Sequence, residues 1–270
     1  MKWQRVASIA LRQFYLLRGS PVRVVPLFAW VAIDVVLWGF IIRYLDSLGG
    51  IGPARLLPSL LGAVLLWNFF TRIMHGISTA FFEDVWSRNF LNLFASPLKI
   101  SEYLAGLVLS GIVTSLLGFV VMIVLAAGAF GFSFAIYGLM LLPFVIILVL
   151  FGIAMGIFST ALVLRLGPAA EWLVWPIPAL LSPFAAVLYP LAVLPKIISG
   201  ISPFLPATHS ITAMRAAIGG IYSNDYWFAI GALLLFIPPL LLIGLLLRIP
   251  LVKFNHWYVS KLESTKVIAA

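Results

Sequence analysis

YLAGLVLSGIVTSLLGFVVMIVLAAGAFGFSFAIYGLMLLPFVIILVLFGIAMGIFSTALVL, residues 103–164, holds no Asp, Glu, Lys or Arg in 62 positions. A helix needs about 20 mostly apolar residues to cross the hydrocarbon of a bilayer. The stretch is therefore long enough for two crossings, and GAFGFSF (128–134) supplies the turn between them. The rest of the chain has the same character, with 63% hydrophobic and 9% charged residues. Soluble domains carry about 25% charged residues, so this apolar surface calls for lipid as its solvent. A net charge of +9 on so apolar a chain suits anionic membrane faces rather than nucleic acid. The chain has no Cys, which excludes disulfides, zinc–thiolate sites and a Cys nucleophile. The segment MKWQRVASIALRQFYLLRG (1–19) does not read as a cleavable leader, because Arg12 interrupts its apolar core.

Working outward from that stretch, charges punctuate the remaining spans. Residues 24–42 are uncharged except for Asp34 and read as span one; Leu56–Thr71, continuing to Phe82, reads as span two. Spans three and four lie within 103–164, span five is Trp172–Pro195, and span six is Tyr226–Leu247. The expected fold is all-α and integral to the membrane, with six transmembrane helices. On that topology 13 of the 17 Lys and Arg fall on one side: those of the N-terminal segment, Arg72, Arg88 and Lys99 about the loop after span two, Arg165, and those of the C-terminal tail. Arg43, Arg55, Lys196 and Arg215 fall on the other. The positive-inside rule then places both termini in the cytoplasm.

Three elements are expected not to be spans. Residues 1–20 read as an amphipathic interface helix preceding a six-span domain at 21–270. Trp3, Ala7, Ala10, Phe14 and Leu17 recur at steps of three and four, so they share one face that would lie in the interface plane. The loop FFEDVWSRNFLNLFASPLKISEY (81–103) contains a predicted short helix over 83–96. Glu83 and Asp84 suit a first helical turn, and Ser96-Pro97 stops the helix. Its apolar residues, Val85, Trp86, Phe90, Leu93 and Phe94, either meet a protein partner or fold back on the chain's own helices. AVLPKIISGISPFLPATHSITAMR (192–215) is too apolar for an ordinary loop, yet Pro195, Pro203, Pro206 and Gly200 forbid one helix. It reads as two short helices dipping into the membrane from the outer side, broken near Ser202–Pro206, with Thr208 or Ser210 capping the second. Irregular backbone at that depth must be covered by protein or water. Span five carries Pro176, Pro178, Pro183 and Pro190, which bend it either beside a cavity or as a packing kink. GIAMG (152–156) is a small-xxx-small pattern that reads as packing within one subunit.

YPLAVLPKIISGISPFLPATHSITAMRAAI (189–218) resembles the outer re-entrant region of type-2 ABC exporter permeases, in its Pro190, Leu194-Pro195, Pro206, Thr208 and Met214-Arg215. FEDVWSRNFLNLFASPLKISEYLAG (82–106) resembles the coupling-helix region of the same family, with an acidic start, an SPL stop and a Glu leading into a span. It departs from the family in having VWSRNFLN, with no second acidic run, after the acidic start. The resemblance covers nearly the whole chain through the order of its elements. It implies a non-catalytic permease that homodimerises in a bacterial-type inner membrane and binds two copies of a cytoplasmic ABC ATPase. ATP and Mg would be held by the ATPase, since this chain has no GxxxxGK phosphate loop. A hydrophobic or amphipathic substrate would be exported. Glu83, Asp84, Val85, Trp86, Arg88, Phe90, Phe94 and Pro97 would form the ATPase-coupling region. Pro195, Pro203, Pro206, His209 and Arg215 would form the outer gate.

Trp30, Asp34, Trp67, Phe70 and Tyr189 are read as lining the substrate path, with lipid-facing aromatics as the alternative. Asp34 lies midway through span one, where a charge is costly; it is expected to face the protein interior or a water-filled cavity. The rival readings are an ion-coupled carrier, for which Asp34 and His75 are the ionisable groups available, and a membrane-embedded lipid-modifying enzyme. His75, His209 and His256 show no metal-ligand spacing, so no metal or catalytic set is expected.

Overall fold

The computed structural model describes residues 2–48, 53–87, 89–218, 227–228 and 230–235. Most of the expected sixth span and all of the cationic tail lie outside the described residues, as does Arg88. The described residues form an all-α protein in which four helices are long and apolar enough to cross a membrane. Helix α1 is Trp3–Arg18, α2 is Pro21–Ser47, α3 is Pro53–Trp86, α4 is Phe90–Ala95, α5 is Ile100–Phe130 and α6 is Leu142–Leu166. The spanning candidates are Pro21–Leu45, Leu57–Trp86, Ile100–Phe130 and Leu142–Leu166. The uncharged stretch thus supplies two of them. Its turn begins at Gly131, whose left-handed φ of 68° lets Gly131 and Phe132 donate back to the Ala127 and Ala126 carbonyls.

Helix α3 is the centre of the bundle and packs against α2, α5 and α6. Lipid is as apolar as Leu, so helices in a bilayer associate through close contact rather than through the hydrophobic effect. The sequence provides that contact with glycine. A Cβ at Gly152 or Gly156 of α6 would lie 3.0 Å from Ile73 Cβ or Ile77 Cβ of α3, and one at Gly76 of α3 would lie 3.4 Å from Gly111 Cα of α5. The GIAMG pattern therefore joins helices of one chain. Between the glycine contacts, Phe69 stacks on Phe119 at 4.4 Å and Phe70 on Phe151 at 4.9 Å. Helix α2 lies at the edge, burying Val31, Val35 and Ile42 and exposing Trp30, Ile33, Leu37 and Phe40.

Span five differs from expectation. After α6 the chain forms α7 (Glu171–Val174), α8 (Ile177–Leu181) and α9 (Lys196–Ile201), separated by turns, before α10 (Pro206–Ile218). No helix between Glu171 and Leu205 exceeds six residues. Four prolines in fifteen positions, 176–190, explain this: each removes an N–H and crowds the preceding turn, and together they break the helix rather than bend it. The segment nonetheless travels along the bundle. Trp175 packs on His75 of α3, 4.8 Å between ring centres, whereas residues 186–189 meet Arg215 of α10. Helix α10 packs on α6 and α3.

The remaining difference concerns α1. Of its apolar stripe, Trp3 and Phe14 are exposed and Ala7, Ala10 and Leu17 are half-buried. A different face, Val6, Ile9 and Gln13, is buried, and α1 packs on α5. A Cβ at Gly106 of α5 would lie 2.5 Å from Ile9 Cβ, so α1 is a docked part of the bundle.

Gly156→Leu forces a branched side chain into the α3–α6 contact and is expected to cost about 2–3 kcal/mol. The check is the thermal midpoint of the detergent-purified protein, which should fall clearly, whereas Leu150→Ala on the exposed face of α6 should move it little.

Candidate functional site

Three of the chain's ion pairs converge where α1 meets the end of α3 and the start of α5. Three of its eight acidic residues take part. Asp84, only 1% exposed, accepts from Arg12 at 2.5 and 3.1 Å and from the Tyr103 hydroxyl at 2.8 Å. Glu102 accepts from the backbone N–H of Lys2 at 2.7 Å and of Lys99 at 3.1 Å, and from Arg5 at 3.1 Å. Glu83 lies 3.2 Å from Arg23 of α2. The hydrogen bond to Asp84 pushes the Arg12 guanidinium above its ordinary pKa, which keeps it cationic. Arg5 and Arg12 are seven residues apart, about two helical turns, so one face of α1 reaches both carboxylates.

This geometry corrects the expected coupling helix. Glu83, Asp84, Val85 and Trp86 do not open a new helix; they are the last turn of α3, and only Phe90–Ala95 forms α4. Acidic groups at a helix C-terminus oppose the helix dipole. The arginines of α1 and α2 offset that cost, which is why α3 runs through them. Asp84 is sealed by Arg12 and Tyr103 and is not a contact surface. Trp86 is 54% exposed, and Pro97 is exposed just beyond α4. Phe90 and Phe94 lie on α4.

The residues read as the substrate path are not brought together. Trp30 is exposed on the outer face of α2, whereas Phe70 is wholly buried beneath Phe151. Trp67 packs on Phe70 with ring centres 4.8 Å apart. Asp34 interacts electrostatically with Arg72 of α3, and the Arg72 side chain lies where a Cβ on Gly118 of α5 would be 2.4 Å from its Nε. Asp34 is thus turned toward the bundle.

At the opposite end, the residues read as an outer gate form a brace. Arg215 donates to the carbonyls of Ala186 at 2.6 Å, Val187 at 2.7 Å and Tyr189 at 3.0 Å. Burial lowers its pKa. Ala186 holds a left-handed φ of 54°, unusual for a residue with a Cβ, and the brace fixes it. The Tyr189 hydroxyl donates to Pro183 O at 3.2 Å. Thr208 and Ser210 do not accept from free N–H groups as caps. Their hydroxyls donate away from α10, to Phe184 O at 3.3 Å and Phe144 O at 2.9 Å. The turn between α9 and α10 contains Pro203 with Leu205 extended, and His209 Nε2 lies 2.7 Å from Pro203 O. Pro195 precedes α9 and Pro206 opens α10.

Among the described residues no cluster of three or more His, Asp or Glu is arranged to hold a metal. The residues that sequence reasoning missed are Arg5, Arg12, Arg23, Glu102 and Tyr103. The seven-residue spacing of Arg5 and Arg12 was the available signal. No family model matches the chain, and no curated protein matches it either.

Asp84→Ala leaves Arg12 without its partner and is expected to destabilise the protein by about 3 kcal/mol, the low end for a buried pair because Arg12 is partly exposed. Limited proteolysis is the check: cleavage within residues 1–20 should accelerate in Asp84→Ala, whereas Trp3→Ala should leave the rate near that of the unmodified chain.

Proposed function

We propose that this chain is the membrane permease subunit of an ATP-driven exporter, acting as a dimer with two copies of a separate cytoplasmic ATPase that holds ATP and Mg. One observation carries the reading. The short connection from Trp86 to Pro97, with exposed Trp86 and the short helix α4, joins two long spanning helices, α3 and α5. Both helices are ion-paired to α1 beside that connection. A force applied to residues 86–97 therefore reaches α1, α3 and α5 together. That is the mechanical property a subunit driven from the cytoplasm needs. On this reading the positively charged end faces the cytoplasm, and the broken segment with its Arg215 brace faces outward. The substrate is hydrophobic or amphipathic, and displacement of the broken segment would open its way out.

A second reading has its own observation. Asp34 and Arg72 interact inside spanning helices, and ionisable groups at such depth mark ion pathways. On that reading the chain works alone as an ion-coupled carrier.

The complex purified in mild detergent from its native membrane separates the two. Vanadate-sensitive ATP hydrolysis should accompany the chain and fall at least tenfold in Trp86→Asp at equal amounts of folded chain. Retention of full ATP hydrolysis in Trp86→Asp contradicts the proposed coupling region. Proton flux through liposomes holding the chain alone, abolished by Asp34→Asn, would favour the carrier.

A further inference from the structure

Behind the ion pairs, α1, α2, α3 and α5 enclose a recess of about 80 Å³ that opens at the surface. A water needs roughly 10–15 Å³ of such space, so the recess has room for a polar group of several atoms. Its polar lining is Gln13 of α1, Arg23 of α2, Thr79 and Glu83 of α3, and Ser110 and Thr114 of α5. Gln13 is 6% exposed, and its Nε2 is buried without a hydrogen-bond partner. A buried amide donor left unpaired is costly; here it lines a cavity. Arg23 Nη1 lies 3.2 Å from Glu83 but is not aligned to donate to it.

The hydroxyls add a second chemistry. Thr79 donates to His75 O at 2.7 Å, Ser110 to Leu107 O at 2.9 Å, and Thr114 to Ser110 O at 3.0 Å. Each has used its one proton, so only its lone pairs remain to accept. The recess therefore presents donors from Gln13 and Arg23, and acceptors from Glu83 and three hydroxyls. An anion alone would leave the acceptors unmet, and a cation alone would leave Gln13 unmet. A zwitterion with an anionic oxygen and a primary ammonium meets both sets.

We infer that this recess binds the phosphoethanolamine headgroup of a membrane phospholipid: Gln13 and Arg23 take the phosphate, while Glu83 and the hydroxyls of Thr79, Ser110 and Thr114 take the ammonium. A lipid is the source because the recess lies among spanning helices behind the amphipathic α1, whose exposed Trp3 and Phe14 suit the headgroup region. A quaternary ammonium has no N–H to donate, so choline lipids fit poorly. Lipids lacking an ammonium leave Glu83 to share Arg23 with the phosphate and leave the hydroxyl lone pairs unmet. The inference needs only the membrane embedding and is independent of the transport reading.

The test uses the full chain purified in detergent and native mass spectrometry of bound lipid. Phosphatidylethanolamine should occupy one site at least fivefold more tightly than phosphatidylcholine or phosphatidylglycerol. Glu83→Gln should bring it down to the level of phosphatidylcholine. Gln13→Leu should weaken it at least fivefold, and Thr114→Val, nearly isosteric, should weaken it two- to threefold with an unchanged thermal midpoint. Equal binding of the three lipids, or a preference unaltered in both Gln13→Leu and Thr114→Val, overturns the site. Displacement of the lipid by an equal concentration of soluble phosphoethanolamine overturns the lipid as its source.

Discussion

Asp84 is a carboxylate with almost no access to solvent, at the end of a helix long and apolar enough to span a membrane. A charge so placed must be compensated by specific partners, and those partners fix much of the architecture. Arg12 brings α1 onto the bundle, and Tyr103 aligns the start of α5 with the end of α3. Arg5–Glu102 and Arg23–Glu83 extend the same logic, so four helices are tied at one end by three ion pairs. Removing the acids would not leave the same bundle with fewer contacts; α1 would lose the reason for its position.

The opposite end solves the complementary problem with the opposite charge. The prolines of 176–190 leave carbonyls without helical partners, and in a membrane such groups must be satisfied within the protein. Arg215 donates to three of them, and Thr208 and Tyr189 to two more. One end of the protein is thus built around acids that need cations, the other around backbone carbonyls, without helical partners, that need donors. Between them, glycine contacts and stacked phenylalanines hold α3, α5 and α6 together without charge. That middle region contains Asp34 and Arg72, the charged interaction that the packing has to accommodate.

Much of this was legible in the sequence, because the bilayer imposes strong rules. The uncharged run at 103–164 dictated α5, α6 and the turn at Gly131. The exposure of Trp3 and Phe14 on one face of α1 followed from periodicity, and the prolines announced the irregular backbone. What escaped was pairing across the chain. Arg12 and Asp84 are 72 residues apart, and no local pattern links them. Read locally, Glu83 and Asp84 favour a helix start, because the dipole argument knows nothing of arginines arriving from elsewhere. Span five was misjudged for a similar reason. Each proline alone permits a kinked helix; their combined effect depends on Arg215 being available to hold the broken alternative. Aromatic composition alone does not distinguish a lining from a core: Phe70, read as a path residue, is wholly buried.

The docking of α1 by ion pairs is tested most directly by a spin-label distance in lipid nanodiscs. The absence of Cys allows labels at Leu11 of α1 and Val113 of α5, both exposed. The structure predicts one narrow distance distribution for the otherwise unmodified chain and a broad one after Arg12→Gln. A broad distribution in the unmodified chain, or a narrow one that Arg12→Gln leaves intact, would contradict it.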